Sequence, residues 1–121
     1  MRKAETALSA ARLLLKAGDT DGACNRAYYA MFDAAHAALR AAGIELSETP
    51  IKTHNGLVGL FGQHLVLTKH LDAEHGVAFN KVQNLRLLAD YEGGPISIEN
   101  AAWAFERAEA FVAVIKGKFS L

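Results

Sequence analysis

Apolar residues recur at intervals of three and four through most of the chain, which is the spacing of an amphipathic helix. No run of four or more residues alternates apolar and polar positions in the manner of a half-buried strand. These patterns predict an all-α protein. The predicted helices are about Lys3–Ala17, Asp21–Ala42, Ile51–Leu65, Ala73–Tyr91, and a last helix that Ser97 caps and that continues to Lys116.

Glycine, proline and small polar residues mark the predicted helix ends. Glycine commonly terminates a helix, and aspartate, serine and threonine commonly cap its first turn. These signals fall at Gly18, Asp19–Asp21, Gly43, Pro50, the Glu-Gly-Gly-Pro run at 92–95, and Gly117. Five helices with short links predict an antiparallel up-and-down bundle, in a single domain that spans residues 1–121.

The second helix is apolar around most of its circumference, which is typical of the central helix of a bundle. Its polar exceptions are Arg26, Tyr29, Asp33, His36 and Arg40. At ~100° per residue they fall within about 80° of one another and form one stripe. The stripe is either the solvent edge of the helix, with Asp33 paired to an arginine, or a functional face.

The apolar pattern also indicates which side chains lie in the core. On the fourth helix these are Ala78, Val82, Leu85 and Ala89. The rings of Phe32 and Phe105 are also predicted to be core, in which case truncation of either ring would cost ~3–5 kcal/mol.

The fourth helix carries Arg86 four residues before Asp90, so that the two share a face, and Tyr91 follows at the helix end. Arginine presents a planar fork of donors that suits phosphate, and a tyrosine hydroxyl beside it can donate to the same oxyanion. The alternative interpretation of Arg86 and Asp90 is an ordinary intrahelical ion pair.

Lys52 and His54 open the third helix, near its positive end. They form either an anion site or a solvated first turn, and His54 is the histidine best placed for acid–base chemistry because its neighbours are polar. Glycines follow at 56, 59 and 62, but no Lys-Ser/Thr pair follows them as in a phosphate-binding loop. We expect this small-residue ridge to let another helix approach closely.

The charge balance excludes one class of function. Thirteen basic and thirteen acidic residues give a formal net charge of zero, whereas a dedicated duplex-DNA binder usually has a basic excess. Any nucleic-acid contact must therefore use a local cluster or a surface that a partner completes.

The remaining chemistry-bearing residues predict no cofactor, metal or membrane contact. Cys24 is the single cysteine, which fits a reducing cytoplasm and a small buried side chain. His64, His70 and His75 match no metal-binding spacing. No apolar run approaches the ~20 residues that a membrane span needs, and no signal peptide is apparent.

Three stretches of the chain, in order, resemble motifs of one branch of HEPN-domain proteins. They are Gly18–Asp21 with Asn25–Phe32 (GD…NRAYYAMF), Lys52–His54 with Leu60–Gly62 (KTH…LFG), and Leu85–Tyr91 (R…ADY). The resemblance implies a bundle of four to five helices that usually forms a homodimer. It also implies a minimal nucleotidyltransferase as partner, in a toxin–antitoxin or similar two-component system.

Active HEPN members are metal-independent endoribonucleases, marked by an arginine that a histidine follows after four to six residues. The histidine activates the ribose 2′-hydroxyl, and the arginine stabilises the phosphorane-like transition state. None of the six arginines in this chain is followed by histidine at that spacing, and Tyr91 stands in the histidine's place after Arg86. A phenol with a pKa of ~10 is a poor base at neutral pH.

The first functional hypothesis is an RNA- or nucleotide-binding HEPN dimer with endoribonuclease activity. Its predicted catalytic residues are Arg86, Asp90, Tyr91 and His54, and its predicted binding residues are Arg26, Tyr29, Asp33 and Lys52. The second hypothesis is a non-catalytic dimeric adaptor of the nucleotidyltransferase, and a ligand pocket within the bundle ranks third. A shared site requires Arg26 and Arg86 to lie within about 15 Å of each other.

Overall fold

A computed structural model describes residues 1–44, 54–66, 71–92 and 95–121 of the chain, with residues 54, 55 and 90–92 described without their side chains. The helices are α1 (Arg2–Lys16), α2 (Thr20–Ala41), α3 (His54–Phe61), α4 (Ala73–Glu92) and α5 (Ile98–Phe119), and a π-helical turn at Gly62–Val66 continues α3. These ranges contain no strand, so the all-α prediction is confirmed. Pro50 and the predicted start of the third helix at Ile51 lie outside the described residues.

The predicted N-caps of α2 and α5 are confirmed. A carboxylate oxygen of Asp19 accepts a hydrogen bond from the backbone N–H of Gly22 at 2.9 Å. The Ser97 hydroxyl accepts one from the N–H of Asn100 at 3.1 Å. Each cap satisfies a backbone donor that the first helical turn leaves without an intrahelical acceptor.

The C-terminal stops are confirmed for two helices and wrong for the last. Gly18 and Gly43 have φ values of +85° and +83°, a left-handed conformation that residues with a Cβ rarely adopt. By contrast, α5 passes through Gly117 and ends at Phe119, with Ser120 in the left-handed conformation. Lys116 and Lys118 in this last turn complement the negative end of the helix dipole and favour its continuation.

Helices α1 and α5 are antiparallel, as two ion pairs between them show. The Glu5 carboxylate lies 2.5 Å from the Lys116 ammonium, and the Arg12 guanidinium lies 2.6 Å from the Glu109 carboxylate. All four side chains are about half exposed, so solvent screens both pairs and each contributes little to stability.

Helix α2 is the central helix, as predicted, because it contacts α1, α3, α4 and α5. A hydrogen bond of 2.8 Å from the backbone N–H of Ile96 to the Asp21 carboxylate fixes the start of α5 beside the start of α2.

The core has two parts of different composition. We call the first the alanine layer, because α1, α2 and α5 contribute mainly buried alanines to it: Ala4, Ala7, Ala11, Ala23, Ala27, Ala30, Ala34, Ala35, Ala38, Ala101, Ala104 and Ala108. Side chains this small let helix axes approach closely, at the short end of the usual 8–10 Å range.

The second part is the aromatic layer, formed by Tyr28, Phe61, Phe79 and Phe111. Each of these rings is fully buried, and each comes from a different helix among α2, α3, α4 and α5. Neighbouring ring centroids are 5.1 to 5.9 Å apart. These separations lie in the range that aromatic pairs prefer.

The prediction that the glycines after His54 let another helix approach closely is wrong at the two positions that can be tested, Gly59 and Gly62. A Cβ built on Gly59 or Gly62 would meet no atom within 4 Å, so these glycines do not mark a close helix approach. The close approach occurs at Gly76 of α4, where a Cβ would lie 3.2 Å from the Val66 side chain. The reason is that the glycines of α3 face outward, whereas Gly76 faces the π-helical turn.

The predicted core is confirmed in part. Ala78 and Val82 are buried, and Leu85 and Ala89 are partly buried against the core. Phe32 and Phe105 are only partly buried, which corrects the prediction that both are core rings. Within the described ranges, no helix combines the length and apolar character needed to cross a bilayer.

Candidate functional site

Two arginines and two tyrosines from α2 and α4 meet on one side of the bundle. The Cζ atom of Arg86 lies 4.7 Å from the ring centroid of Tyr28 and 6.0 Å from that of Tyr29. The Cζ atom of Arg26 lies 4.9 Å from the Tyr29 centroid. We call these four residues the arginine–tyrosine cluster. All three contacts are within the ~6 Å at which a cation is attracted to an aromatic face.

The cluster meets the distance requirement for a shared site. Both guanidinium carbons lie within 6.0 Å of the Tyr29 ring centroid, so they are separated by less than the ~15 Å that a common ligand would allow. Arg26 and Tyr29 share a face because they are three residues apart on α2, and Arg86 reaches them from α4. The roles of these residues remain predictions.

The cluster is partly withdrawn from solvent. Tyr28 is fully buried, while Arg26, Tyr29 and Arg86 are of intermediate exposure. A guanidinium is less strongly hydrated than an ammonium, which suits arginine to such positions. Because the local dielectric is below that of water, an anion that reaches this surface is attracted more strongly than at a fully exposed cation.

The buried groups beside Arg86 are neutral at physiological pH. Burial raises the pKa of the Tyr28 hydroxyl, and the positive charge of Arg86 opposes this effect only in part. Burial, together with the nearby Asp21 carboxylate, raises the pKa of the Cys24 thiol to about 11, again against the opposing charge of Arg86. Cys24 is therefore a buried neutral thiol, as predicted, and not a nucleophile.

The rest of the polar stripe extends from the cluster toward the end of α2. The ring of Phe32 lies 6.2 Å from that of Tyr29 and 5.9 Å from that of His36, so it links the two. Burial and then the Arg40 charge lower the pKa of His36, which keeps this imidazole neutral near pH 7. Asp33 is partly buried and lines a groove together with Arg26, so this predicted binding residue faces the same side.

The structure does not describe the side chains of four predicted site residues, Lys52, His54, Asp90 and Tyr91. Lys52 lies outside the described residues altogether. The structure includes His54 as the first residue of α3, and Asp90 and Tyr91 in the last turns of α4, but without side chains. The pairing of Arg86 with Asp90 and the role of Tyr91 stay predictions.

Sequence reasoning missed two residues, Tyr28 of the cluster and the buried Gln83 of α4. Tyr28 is not among the predicted site residues, although a tyrosine offers an apolar ring and a polar hydroxyl at once. Gln83 of α4 is only 2% exposed and lies three residues before Arg86, on the same side of the helix. A polar residue on the inner face of a helix was the signal that could have identified it.

A group of potential metal ligands lies elsewhere. In the part of the chain that the structure describes, Asp72, Glu74 and His75 bring their ligand atoms within 4.8 Å of one another. Both carboxylates are exposed and lie at the start of α4, where the helix dipole favours negative charge without any ion.

Comparison with known proteins identifies relatives of the chain. The model of the HEPN domain family matches residues 1–118. A UPF0332 protein of Gloeobacter violaceus is 41% identical over 93 residues, which cover 77% of this chain and 70% of that protein. A protein of Methanocaldococcus jannaschii named "Putative toxin" is 34% identical over 113 residues, which cover 93% of this chain and 81% of that protein.

A third relative, a UPF0332 protein of Thermotoga maritima, is 33% identical over 116 residues, covering 95% of this chain and 84% of the relative. The residues that the family model matches include all three motifs found in the sequence. The chain therefore belongs to the HEPN domain family.

Proposed function

We propose that this chain is the toxin-like HEPN protein of a two-component system, that its partner is a minimal nucleotidyltransferase, and that it binds RNA or nucleotide at the arginine–tyrosine cluster. The observation that carries the proposal is the convergence of Arg26 and Arg86, from two helices, on adjacent tyrosine rings. The "Putative toxin" name of two relatives in Methanocaldococcus jannaschii supports the toxin-like part.

The chemistry of the cluster suits a nucleotide. A guanidinium that stacks on a ring keeps its N–H edges available to phosphate oxygens, and arginine recognises phosphate through two parallel hydrogen bonds. Single-stranded RNA is commonly bound by aromatic side chains that stack on its bases. The partly exposed ring of Tyr29 offers such a surface beside both arginines.

Endoribonuclease activity is the catalytic form of this proposal. The ribose 2′-oxygen attacks the adjacent phosphorus and the bond from phosphorus to the 5′-oxygen breaks. The products are a 2′,3′-cyclic phosphate and a 5′-hydroxyl, whose oxygen takes up a proton from water as it leaves. Arg86 stabilises the charge that develops on the phosphoryl oxygens. His54 of α3 takes the proton from the 2′-hydroxyl, and Asp90 and Tyr91 orient the substrate. A homodimer presents two such sets of residues. The protein acts in the cytoplasm, whose reducing conditions fit a chain with a single cysteine.

The second candidate function is a non-catalytic adaptor that buries against its own copy and against the transferase. The observation that favours it is the tyrosine at position 91, where active members of the family have histidine. In that case the cluster binds nucleotide or RNA without cleaving it.

Incubation of the purified protein with a mixed-sequence RNA tests the proposal, with Arg86→Ala as the variant and Arg107→Ala as the matched control. Arg107 is an exposed arginine of α5, on a different helix from the cluster. Loss of a charged hydrogen bond of ~1.5–3 kcal/mol predicts binding about 10- to 100-fold weaker for Arg86→Ala, and unchanged for Arg107→Ala.

Cleavage by the wild type that Arg86→Ala abolishes would establish the nuclease and reject the adaptor. Binding without cleavage would establish the adaptor. Equal RNA affinity in the wild type and in Arg86→Ala would reject the cluster as the binding site. Arg86→Lys adds a finer test, because it keeps the charge but loses the planar guanidinium that lies 4.7 Å from the Tyr28 ring centroid.

The partners are tested separately. Light scattering after gel filtration should give twice the mass of one chain if the protein is a homodimer. Co-expression with the nucleotidyltransferase encoded nearest to the gene should yield a complex that survives gel filtration. A monomer that elutes apart from the transferase would reject both partner assignments.

A further inference from the structure

A groove of about 780 Å³ opens at the end of the bundle where α1 begins and α2 ends. We call it the end groove. Side chains from both helices line it, including those of Arg2, Lys3, Phe32, Asp33, His36 and Arg40. It has the volume of a ligand site, and Arg86 is not among the described residues that line it.

Positive charge dominates the lining side chains of the end groove. Arg2, Lys3 and Arg40 supply three cations, and Asp33 supplies one carboxylate. The pKa of His36 reflects these charges. Burial lowers it most, and Arg40 lowers it more than Asp33 raises it. Lys3 lowers it further. An anion placed beside His36 would therefore meet a positive potential.

The groove also contains an aromatic surface. The rings of Phe32 and His36 pack at 5.9 Å between centroids, and both line the groove. Stacking of a base on an aromatic side chain is worth ~1–3 kcal/mol and is a general means of holding single-stranded nucleic acid. A nucleotide offers a phosphate for the cations and a base for the aromatic surface, so it fits this groove better than an inorganic anion does.

The end groove is continuous with the arginine–tyrosine cluster. A smaller groove of about 350 Å³ shares Arg2, Lys3 and Asp33 with the end groove, and it reaches Arg26 of the cluster. Arg26 and Arg40 are fourteen residues apart on one helix, or roughly 21 Å at ~1.5 Å per residue. A nucleic-acid strand carries several phosphates over that length.

We propose that the end groove is a second phosphate-binding site, which holds a phosphodiester and a stacked base of the same RNA strand that the arginine–tyrosine cluster binds. The identity of the strand rests on the proposed function, whereas the groove's affinity for phosphate does not. The ligand class is consequently single-stranded RNA long enough to reach both sites.

Titration of His36 by nuclear magnetic resonance tests the groove directly. The probes are inorganic phosphate, adenosine monophosphate and a decaribonucleotide, each compared with chloride at equal ionic strength, and the His36→Gln variant identifies the signal. A phosphate group bound beside Arg40 and Lys3 offsets their charge, so the pKa of His36 should rise by roughly half a unit or more. An unchanged pKa with all three probes would overturn the proposal.

Binding of the decaribonucleotide tests the link between the two sites. Replacement of both Lys3 and Arg40 by alanine should weaken binding about tenfold. It should also reduce the salt dependence, by ~0.7 in slope for each lost single-strand phosphate contact. The matched control is the double replacement of Lys16 and Arg107, exposed cations at the far end of α1 and within α5, which should change neither quantity. Circular dichroism melts check that all variants fold.

The outcomes separate this proposal from the preceding one. If Arg86→Ala binds RNA normally and the Lys3/Arg40 variant does not, RNA binding at the end groove is supported and RNA binding at the arginine–tyrosine cluster is rejected. If the Lys3/Arg40 variant binds as the wild type does, the second site is rejected whatever happens at Arg86. If adenosine monophosphate binds as tightly as the decaribonucleotide, a strand that spans both sites is rejected. If no RNA binds, the response of His36 to inorganic phosphate decides whether the groove is a phosphate site.

Discussion

The alanine layer and the aromatic layer hold the same central helix in opposite ways. On the side of α1 and α5, α2 presents side chains of one carbon, so the helices are held by close approach and have no room for extra atoms. Toward α3 and α4, it presents Tyr28 to Phe79, which in turn packs against Phe61 and Phe111, and these large rings fill a wider space.

This difference explains where the candidate site lies. Adjacent alanines bring two backbones together and leave no side chain to hold a ligand. Tyr28 lies at the edge of the aromatic layer, and its ring also contacts the guanidinium of Arg86. The core and the arginine–tyrosine cluster therefore share this residue. The comparison predicts opposite sensitivities: the aromatic layer should suffer from loss of atoms, and the alanine layer from their addition.

The largest expected effect is that of Phe79→Ala. The ring is fully buried and contacts Tyr28, Phe61 and Phe111, so its removal loses burial and leaves a cavity. We expect a loss of ~3–5 kcal/mol in the free energy of unfolding, measured by urea denaturation. Phe105→Ala is the control, because that ring is only partly buried beside Arg12 and should cost clearly less. Equal losses would contradict the assignment of the aromatic layer.

Ala30→Leu should have the next largest effect. Ala30 is fully buried and lies about 200° around α2 from Tyr28, on the alanine side. Extra methyl groups there should force the helices apart and cost ~1–3 kcal/mol by the same measurement. Ala113→Leu on the exposed face of α5 should leave the free energy of unfolding nearly unchanged. A neutral Ala30→Leu would mean that the alanine layer has room to expand.

Gly22→Ala tests the cap at the start of the helix that both layers share. A Cβ at this position would collide with the Asp19 carboxylate that caps α2, so the cap should be lost at a cost of ~1 kcal/mol. The same change at Gly59 meets open space and should stabilise the protein by ~0.5–1 kcal/mol, because alanine favours the helix. Alanine favours the helix at position 22 as well, which offsets part of the lost cap. Thermal melts should therefore place Gly59→Ala clearly above Gly22→Ala.

The smallest effect concerns pH and the polar stripe. Because the pKa of His36 is lower in the folded protein than its usual value of ~6.5, its contribution to stability is complete above that value. The contribution is lost as the pH falls toward the folded pKa. Urea midpoints should therefore fall as the pH is lowered from 7 through ~6.5, and less steeply in His36→Gln. Parallel curves for the two proteins would show that His36 does not titrate differently on folding.

Much of the fold follows from local rules in the sequence. Gly18, Asp19, Gly43 and Ser97 act at helix ends through conformations and hydrogen bonds that involve only nearby residues, so pattern and residue type suffice to predict them. The glycines of α3 were misinterpreted because spacing does not reveal which face meets a neighbour. Gly76 occupies the close approach instead, and only tertiary packing shows this.

The site was predictable in part for the same reason. The stripe from Arg26 to Arg40 follows from helical geometry, and Arg86 was found through its resemblance to the family motif. That Arg26 and Arg86 meet at Tyr29 depends on how α4 packs against α2, which no spacing within one helix can give. The end groove escaped prediction because its cations come from the start of α1 and the end of α2, nearly forty residues apart.

Tyr28 belongs to the core through its contact with Phe79 and to the candidate site through its contact with Arg86. Natural variation at this position must therefore satisfy two constraints at once, an aromatic shape for the interior and an electron-rich face for the guanidinium. Phenylalanine meets both requirements and differs only by the phenolic oxygen. The exchange Tyr28→Phe thus separates what the hydroxyl contributes from what the ring contributes, without disturbing either neighbour.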